Sequence, residues 1–266
     1  MNNSLSIKTA FIIVMASLLS AFLAGSVILG ISLSQPESNQ KFYTFISFII
    51  GQGFMLVPLI WFLQSKKEPL IKRLRLNTIG IDTLIFTISL SIGIIILSDE
   101  FDRIMQIFIP APEYILDLNG LLRPESFTGF LLLFIGVSII APLGEELLFR
   151  GFFQQILEKH WEDITRAVLI TSLFFAMIHM NPYWFVQIYI LGIVLGFLAW
   201  KTNSVLPSLI LHSINNTTAL FFSFMNMEKN SFYILNEHIA PWCILLAILA
   251  LIFGFKGINK IKNRAV

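Results

Sequence analysis

The stretch FTGFLLLFIGVSIIAPLGEELLFRG, residues 127–151, decides how this chain folds. Its first eighteen residues carry no charge, which is close to the roughly 20 apolar residues that a membrane-spanning helix needs. Its end then brings Glu145, Glu146 and Arg150 into the same apolar segment. The stretch therefore predicts a membrane-spanning helix that carries ionisable side chains.

The composition extends this prediction to the whole chain of 266 residues. Hydrophobic residues make up 56% of it and charged residues only 13%, whereas soluble domains are nearer one quarter charged. We therefore expect a polytopic membrane protein, embedded in the lipid bilayer, with little length left for a soluble domain. The formal net charge of +2 indicates no nucleic-acid partner. The single cysteine, Cys243, excludes intramolecular disulfides and a cysteine-rich metal site.

Eight apolar segments predict an all-α helical bundle with about eight transmembrane helices. The predicted spans are 9–34, 42–64, 78–98, 127–149, 166–180, 183–200, 204–225 and 239–256. We divide the chain into N-terminal helices with an outer loop (1–126), a central segment (127–225) and a C-terminal helix with a basic tail (226–266). Within the 99–126 connection, Phe101–Ile109 has helical spacing, which fits an interfacial helix or an ordered loop that caps the bundle.

Lysine and arginine are distributed unequally between the two sides of these spans. Fourteen of the 18 basic residues fall on the side that holds both termini, and four fall on the other. Basic residues stay preferentially in the cytoplasm. We therefore expect both termini to be cytoplasmic, in the cell membrane if the protein is bacterial.

Three short patterns place polar residues inside the predicted spans, where each charged group costs about 2.5–3.5 kcal/mol. They read Glu145-Glu146-Leu-Leu-Phe-Arg150, Phe175-Ala-Met-Ile-His179 and His212-Ser-Ile-Asn-Asn216. Counted from the nearest cytoplasmic charge, Glu145 and His179 each lie roughly 20 Å deep and His212 roughly 16 Å. Three helices therefore bring a carboxylate and two imidazoles to about one level, in an intramembrane active-site cavity.

Spacing assigns different roles to the two glutamates. Glu146 and Arg150 are four residues apart, share a helix face and can form an ion pair. Glu145 points about a quarter-turn away and has no partner on its own helix. Because desolvation raises the proton affinity of a carboxylate, Glu145 suits a general base.

The remaining polar residues fit the same chemistry. His212 and Asn216 share a face and can donate hydrogen bonds to a developing oxyanion, while His179 can hold a water against Glu145. Each of these residues also has a structural interpretation, because intramembrane polar groups often join helices. For Asn215 we prefer that packing role. Gly192-x-x-x-Gly196 predicts close helix packing.

At these residues the chain resembles the CPBP family of intramembrane proteases, which includes the type II CAAX prenyl endopeptidases and the Abi-like bacterial proteins of bacteriocin processing and self-immunity. The resemblance covers about 127–220 and marks 127–225 as a CPBP-like core. It implies the catalytic residues Glu145, His179, His212 and Asn216, supported by Glu146, Arg150 and Phe175. It also implies a site that is reached from the cytoplasmic side.

The cofactor stays open at this stage. Glu145, His179 and His212 can hold a divalent metal such as zinc with a fourth position for water. A glutamate-activated water without a metal is the alternative, and we favour it slightly. The familiar zinc helix His-Glu-x-x-His is absent from the sequence.

Three functions remain in competition. The first is an endopeptidase that cuts a membrane-associated protein or peptide, without the prenyl-cysteine specificity of eukaryotic relatives. The second is a non-catalytic immunity or scaffold protein that uses the same pocket for binding. A transporter ranks lower, because inverted repeats are typical of transporters and residues 1–126 offer no counterpart to Glu145, His179 or His212.

Overall fold

The structure is a computed structural model that describes residues 5–113, 123–224 and 231–261. Its described part is almost entirely helical, which confirms the predicted all-α class. The helices are α1 (Ile7–Leu33), α2 (Glu37–Phe54), α3 (Leu56–Ser65), α4 (Leu70–Arg73), α5 (Ile81–Phe108), α6 (Phe127–Trp161), α7 (Ile164–Ile178), α8 (Phe185–Thr202), α9 (Leu206–Phe224) and α10 (Pro241–Lys260). Two short antiparallel strands, β1 (Ile234–Leu235) and β2 (His238–Ile239), precede α10.

Each of the eight predicted spans coincides with helical structure, and six of these helices are long and apolar enough to cross a membrane. The six are α1, α2 with α3, α5, α6, α8 and α10. Helix α7 has only 15 residues, and the polar residues of α9 lower its hydropathy. The predicted number of eight is therefore approximate. The domain boundaries stay a prediction, and residues 226–230 and the basic tail beyond Ile261 lie outside the described residues.

Helix α5 is longer than the predicted span 78–98. It continues to Phe108, and the next residue, Ile109, has extended backbone and directly precedes Pro110. The residue before a proline is disfavoured in helical conformation, which gives the helix its end. The segment Phe101–Ile109 is therefore an extension of α5 rather than a separate interfacial helix or a loop. The middle of the 99–126 connection, 114–122, lies outside the described residues.

Helix α6 is continuous but irregular around the first motif. Phe134–Ile140 and Leu147–Phe153 are π-helical, and the α-helical turns Ala141–Glu146 lie between them. The first π-helical segment ends at Ile140, two residues before Pro142. Pro142 has no backbone N–H and therefore cannot donate to a carbonyl of the preceding turn. Such π-helical turns inside α-helices are frequent at functional sites.

Helices α5 and α10 pack closely because glycines remove side chains from their contact. A Cβ atom on Gly93 would lie 2.6 Å from Leu251 Cγ and 2.7 Å from the carbonyl oxygen of Ala247. A Cβ atom on Gly254 would lie 2.9 Å from the carbonyl oxygen of Phe86. The two backbones therefore approach too closely for any larger residue at these positions.

Gly93→Ala tests this contact. The added methyl group meets backbone that cannot rotate away, and we expect the free energy of unfolding to fall by about 1–3 kcal/mol, the usual cost of overpacking. The measurement is the thermal unfolding midpoint in detergent. Gly53→Ala is the matched control, because nothing lies within 4 Å of its added Cβ. Equal midpoints for the two variants would contradict the close contact.

Candidate active site

Glu145, His179 and His212 face one cavity of about 340 Å³ between α6, α7, α8 and α9. The Oε2 atom of Glu145 lies 3.9 Å from Nε2 of His212 and 4.0 Å from Nε2 of His179. Asn216 lines the same cavity. The structure therefore brings all four predicted site residues together. His179 lies at the end of α7 rather than inside it, because the helix ends at Ile178.

Glu145 is a buried carboxylate with a free oxygen. The residue is 7% exposed, and its Oε2 atom has no hydrogen-bond partner among the described residues. Burying a carboxylate without donors is costly. This oxygen lies beside two imidazole nitrogens and can accept a hydrogen bond from a water or a ligand.

Glu146 and Arg150 form the predicted ion pair in the centre of the bundle. Nη1 of Arg150 donates to Oε1 of Glu146 over 2.7 Å, and neither side chain has any exposed surface. Nη2 of Arg150 donates to the carbonyl oxygen of Gly192 over 3.2 Å. Oε1 of Glu146 also lies 2.9 Å from Nδ1 of His212. The pair therefore joins α6 to α8 and α9.

Phe175 occupies the space between the charged pair and the two histidines. Its ring lies under the Arg150 guanidinium, with 4.0 Å between Cζ and the ring centroid. Its ring centroid is 4.8 Å from that of His179 and 5.7 Å from that of His212. Phe175 is fully buried and packs against both imidazoles. The supporting role that the resemblance implies for Phe175 stays a prediction.

Hydrogen bonds determine which nitrogen of each imidazole faces Glu145. Nδ1 of His179 lies 2.7 Å from the carbonyl oxygen of Phe175, and Nδ1 of His212 faces the Glu146 carboxylate. A carbonyl and an ionised carboxylate only accept, so Nδ1 carries the proton in both rings. In the neutral rings, both Nε2 atoms are therefore acceptors that face Glu145.

Asn216 contacts the backbone of α6 as well as the cavity. Its Nδ2 atom donates to the carbonyl oxygen of Val137 over 2.9 Å, which uses one of its two N–H groups. Its Oδ1 atom accepts from Nδ2 of Asn215 over 3.3 Å. Asn215 itself lines the cavity, and the packing role that we predicted for it stays a prediction.

A row of buried polar residues on α6 was missed at the sequence level. Gln154 donates to the carbonyl oxygen of Gly196 over 2.9 Å and to Oε1 of Glu158 over 2.8 Å. Glu158 forms a buried ion pair with Arg75. The signal was present, because Glu146, Arg150, Gln154 and Glu158 recur every four residues. The carbonyl oxygens of Gly192 and Gly196 accept hydrogen bonds from Arg150 and Gln154, which confirms the predicted close packing there.

The arrangement does not fit a zinc ion as it stands. Ligands around tetrahedral zinc at 2.0–2.1 Å are roughly 3.3 Å apart, whereas the Glu145 oxygen is 3.9 and 4.0 Å from the two imidazole nitrogens. Within the described ranges, no group of three or more His, Cys, Asp and Glu side chains has the arrangement of a metal site. As placed, Glu145 is therefore too far from both imidazoles to share one zinc ion with them.

A second cavity of about 330 Å³ adjoins the first. The two cavities share four lining residues, which are Ile188, Leu191, Asn215 and Ala219. The second cavity ends at Asp99 and Asp102 of α5, where Oδ1 of Asp102 accepts from Nε1 of Trp184 over 3.0 Å. The Tyr233 hydroxyl donates to Oδ2 of Asp99 over 2.9 Å. Burial and the Asp99 carboxylate raise the pKa of Tyr233, which keeps this donor protonated.

Known proteins match the part of the chain that carries this site. A protein-family model described as Type II CAAX prenyl endopeptidase Rce1-like matches residues 127–218. This match confirms, for that segment, the family resemblance that the three motifs predict. It covers α6, α7, α8 and most of α9, so every predicted site residue lies within it.

A curated relative matches as well. The UPF0177 protein YxdF of Lactococcus lactis subsp. lactis is 38% identical over 82 residues, which is 30% of this chain and 44% of that protein. The alignment thus spans less than half the length of the relative. No solved structure matches this chain significantly.

Removal of Glu146 tests the charged pair. Glu146→Ala leaves Arg150 buried without its counter-ion, and we expect the free energy of unfolding to fall by about 3–5 kcal/mol. The measurement is the unfolding midpoint in detergent. Glu145→Gln is the control, because Glu145 has no such ion pair and the change should shift the midpoint little. Similar midpoints for the two variants would refute the different roles of the adjacent glutamates.

Proposed function

We propose that this chain is an intramembrane endopeptidase that hydrolyses a peptide bond in a membrane-associated protein or peptide. The observation that carries the proposal is the unpartnered, buried Oε2 atom of Glu145, with an imidazole nitrogen on either side of it at 3.9 and 4.0 Å. The cavity beside these groups is mostly apolar, which suits a substrate that is associated with the membrane. The family match over residues 127–218 supports the same reaction class.

In this mechanism Glu145 and His179 activate the water. A water between them donates one hydrogen bond to Glu145 and a second to Nε2 of His179. The water oxygen attacks the substrate carbonyl carbon while its proton passes to Glu145. The tetrahedral intermediate then collapses, the carbon–nitrogen bond breaks, and Glu145 returns the proton to the leaving amine.

His212 and Asn216 stabilise the oxyanion of this intermediate. Since Nδ1 of His212 carries a proton, its Nε2 atom donates only when the ring is a doubly protonated imidazolium. The Glu146 carboxylate accepts from Nδ1 of that ring over 2.9 Å, so the Nε2–H group is left to face the cavity. The second N–H of Asn216 supplies the other donor. Donors positioned before the reaction are typically the largest source of such stabilisation.

Glu145→Gln tests the general base. We expect wild-type cells to contain truncated membrane-associated peptides that cells carrying Glu145→Gln lack, because the amide cannot take the proton of water. Mass spectrometry of these peptides at matched expression measures the difference. Glu162→Gln is the matched control, because Glu162 is exposed and lies beyond the end of α6.

Identical peptide profiles for wild type and Glu145→Gln would contradict proteolysis. If the Gln variant also complements a deletion, the pocket serves binding, as in an immunity or scaffold protein.

A chelator tests the metal-free form of the mechanism. We expect purified protein dialysed against EDTA to keep its cleavage rate on a peptide identified in that comparison, and to contain far less than one zinc per chain by elemental analysis. The reason is the wide separation of Glu145, His179 and His212. Loss of cleavage that one equivalent of zinc restores would show that these side chains move together around a metal.

A further inference from the structure

The catalytic cavity occupies only one half of the bundle. From Glu145 it extends along the first half of α6, where Leu133 and Val137 line it, and along the second half of α9 as far as Ser223. Exposure increases in this direction: the His212 side chain is 4% exposed, the His179 side chain is 29% exposed, and Ser223 is exposed. The cavity is therefore reached from the end where α6 begins and α9 ends.

The opposite half of the bundle is packed. Residues 147–158 of α6 are all buried, and they carry the polar row that contacts Gly192 and Gly196. The ion pair between Glu158 and Arg75 continues this packing towards the other end of the helices. A substrate that came from this end would have to break these buried contacts to reach Glu145.

The two ends differ in charge as well. The packed end joins the basic connections, including the 66–75 segment, Arg166 and Lys201. The cavity end holds the last turns of α5, where Asp99 and Asp102 line the adjoining second cavity. Because basic connections stay in the cytoplasm, the cavity end is the outer one.

We propose that the two adjoining cavities form one substrate path that is entered from the extracytoplasmic side. The substrates are then peptide segments displayed at the outer surface of the membrane, rather than cytoplasmic tails. The identity of the substrates rests on the proposed peptidase function, whereas the entry side does not. This side is opposite to the cytoplasmic access that the family resemblance implies.

Cysteine labelling in intact cells tests the entry side. Asn215→Cys reports on the shared wall of both cavities, and Ser223→Cys reports on the outer end of the first. Each is made in a Cys243→Ala, Glu145→Gln chain, so that labelling depends on access and not on catalysis. We expect a membrane-impermeant maleimide to label both positions in intact cells. Ser65→Cys, at the exposed basic end of α3, is the control and should react only after permeabilisation.

Each other outcome overturns the proposal. Labelling of Ser65→Cys in intact cells would mean that the chain has the reverse orientation. Labelling of Asn215→Cys only after permeabilisation would place the entrance on the cytoplasmic side. If Ser223→Cys is labelled but Asn215→Cys is labelled in neither intact nor permeabilised cells, the cavities form no continuous path. A loss of peptidase activity in Glu145→Gln, by contrast, leaves these results unaffected and tests only the reaction.

Discussion

Glu146 and Arg150 carry opposite charges at the centre of α6, where neither side chain has any exposed surface. Withdrawing two ions from water costs several kcal/mol each, and their mutual attraction offsets this only when further hydrogen bonds are made. The carbonyl of Gly192, the ring of Phe175 and the imidazole of His212 supply these contacts. They come from α8, α7 and α9, so one charged pair on α6 determines how three other helices pack around it.

The same pair prepares the chemistry of its neighbour. Because Glu146 holds Nδ1 of His212, the other imidazole nitrogen faces Glu145. Glu145 has no ion pair on its own helix and keeps an oxygen free towards the cavity. The two adjacent carboxylates thus have different surroundings: Oε1 of Glu146 contacts Arg150 and His212 in the packed centre of the bundle, and Glu145 lines the cavity. A quarter-turn of helix is enough to separate them.

The polar row on α6 also explains why the cavity has only one end. Gln154 and Glu158 extend the row in the direction away from the cavity, and each of them is bonded to another buried group. Polar groups bonded in this way hold helices together and leave no room for a substrate. On the other side of Glu145 the wall of the cavity is mostly apolar, and the substrate space that we propose lies there.

Hydropathy and helical spacing are local properties, and the sequence by itself therefore determined the membrane class, the positions of the helices and the pairing of Glu146 with Arg150. It also brought Glu145, His179 and His212 to similar depths, because rise per residue converts sequence position into depth. Only the tertiary structure decided the bond from Asn216 to the Val137 carbonyl and the half of the bundle in which the cavity lies. These features depend on which helices are neighbours and on which backbone carbonyls they present. Backbone carbonyls are the same at every residue, so the sequence carries no sign of which of them will accept a distant side chain.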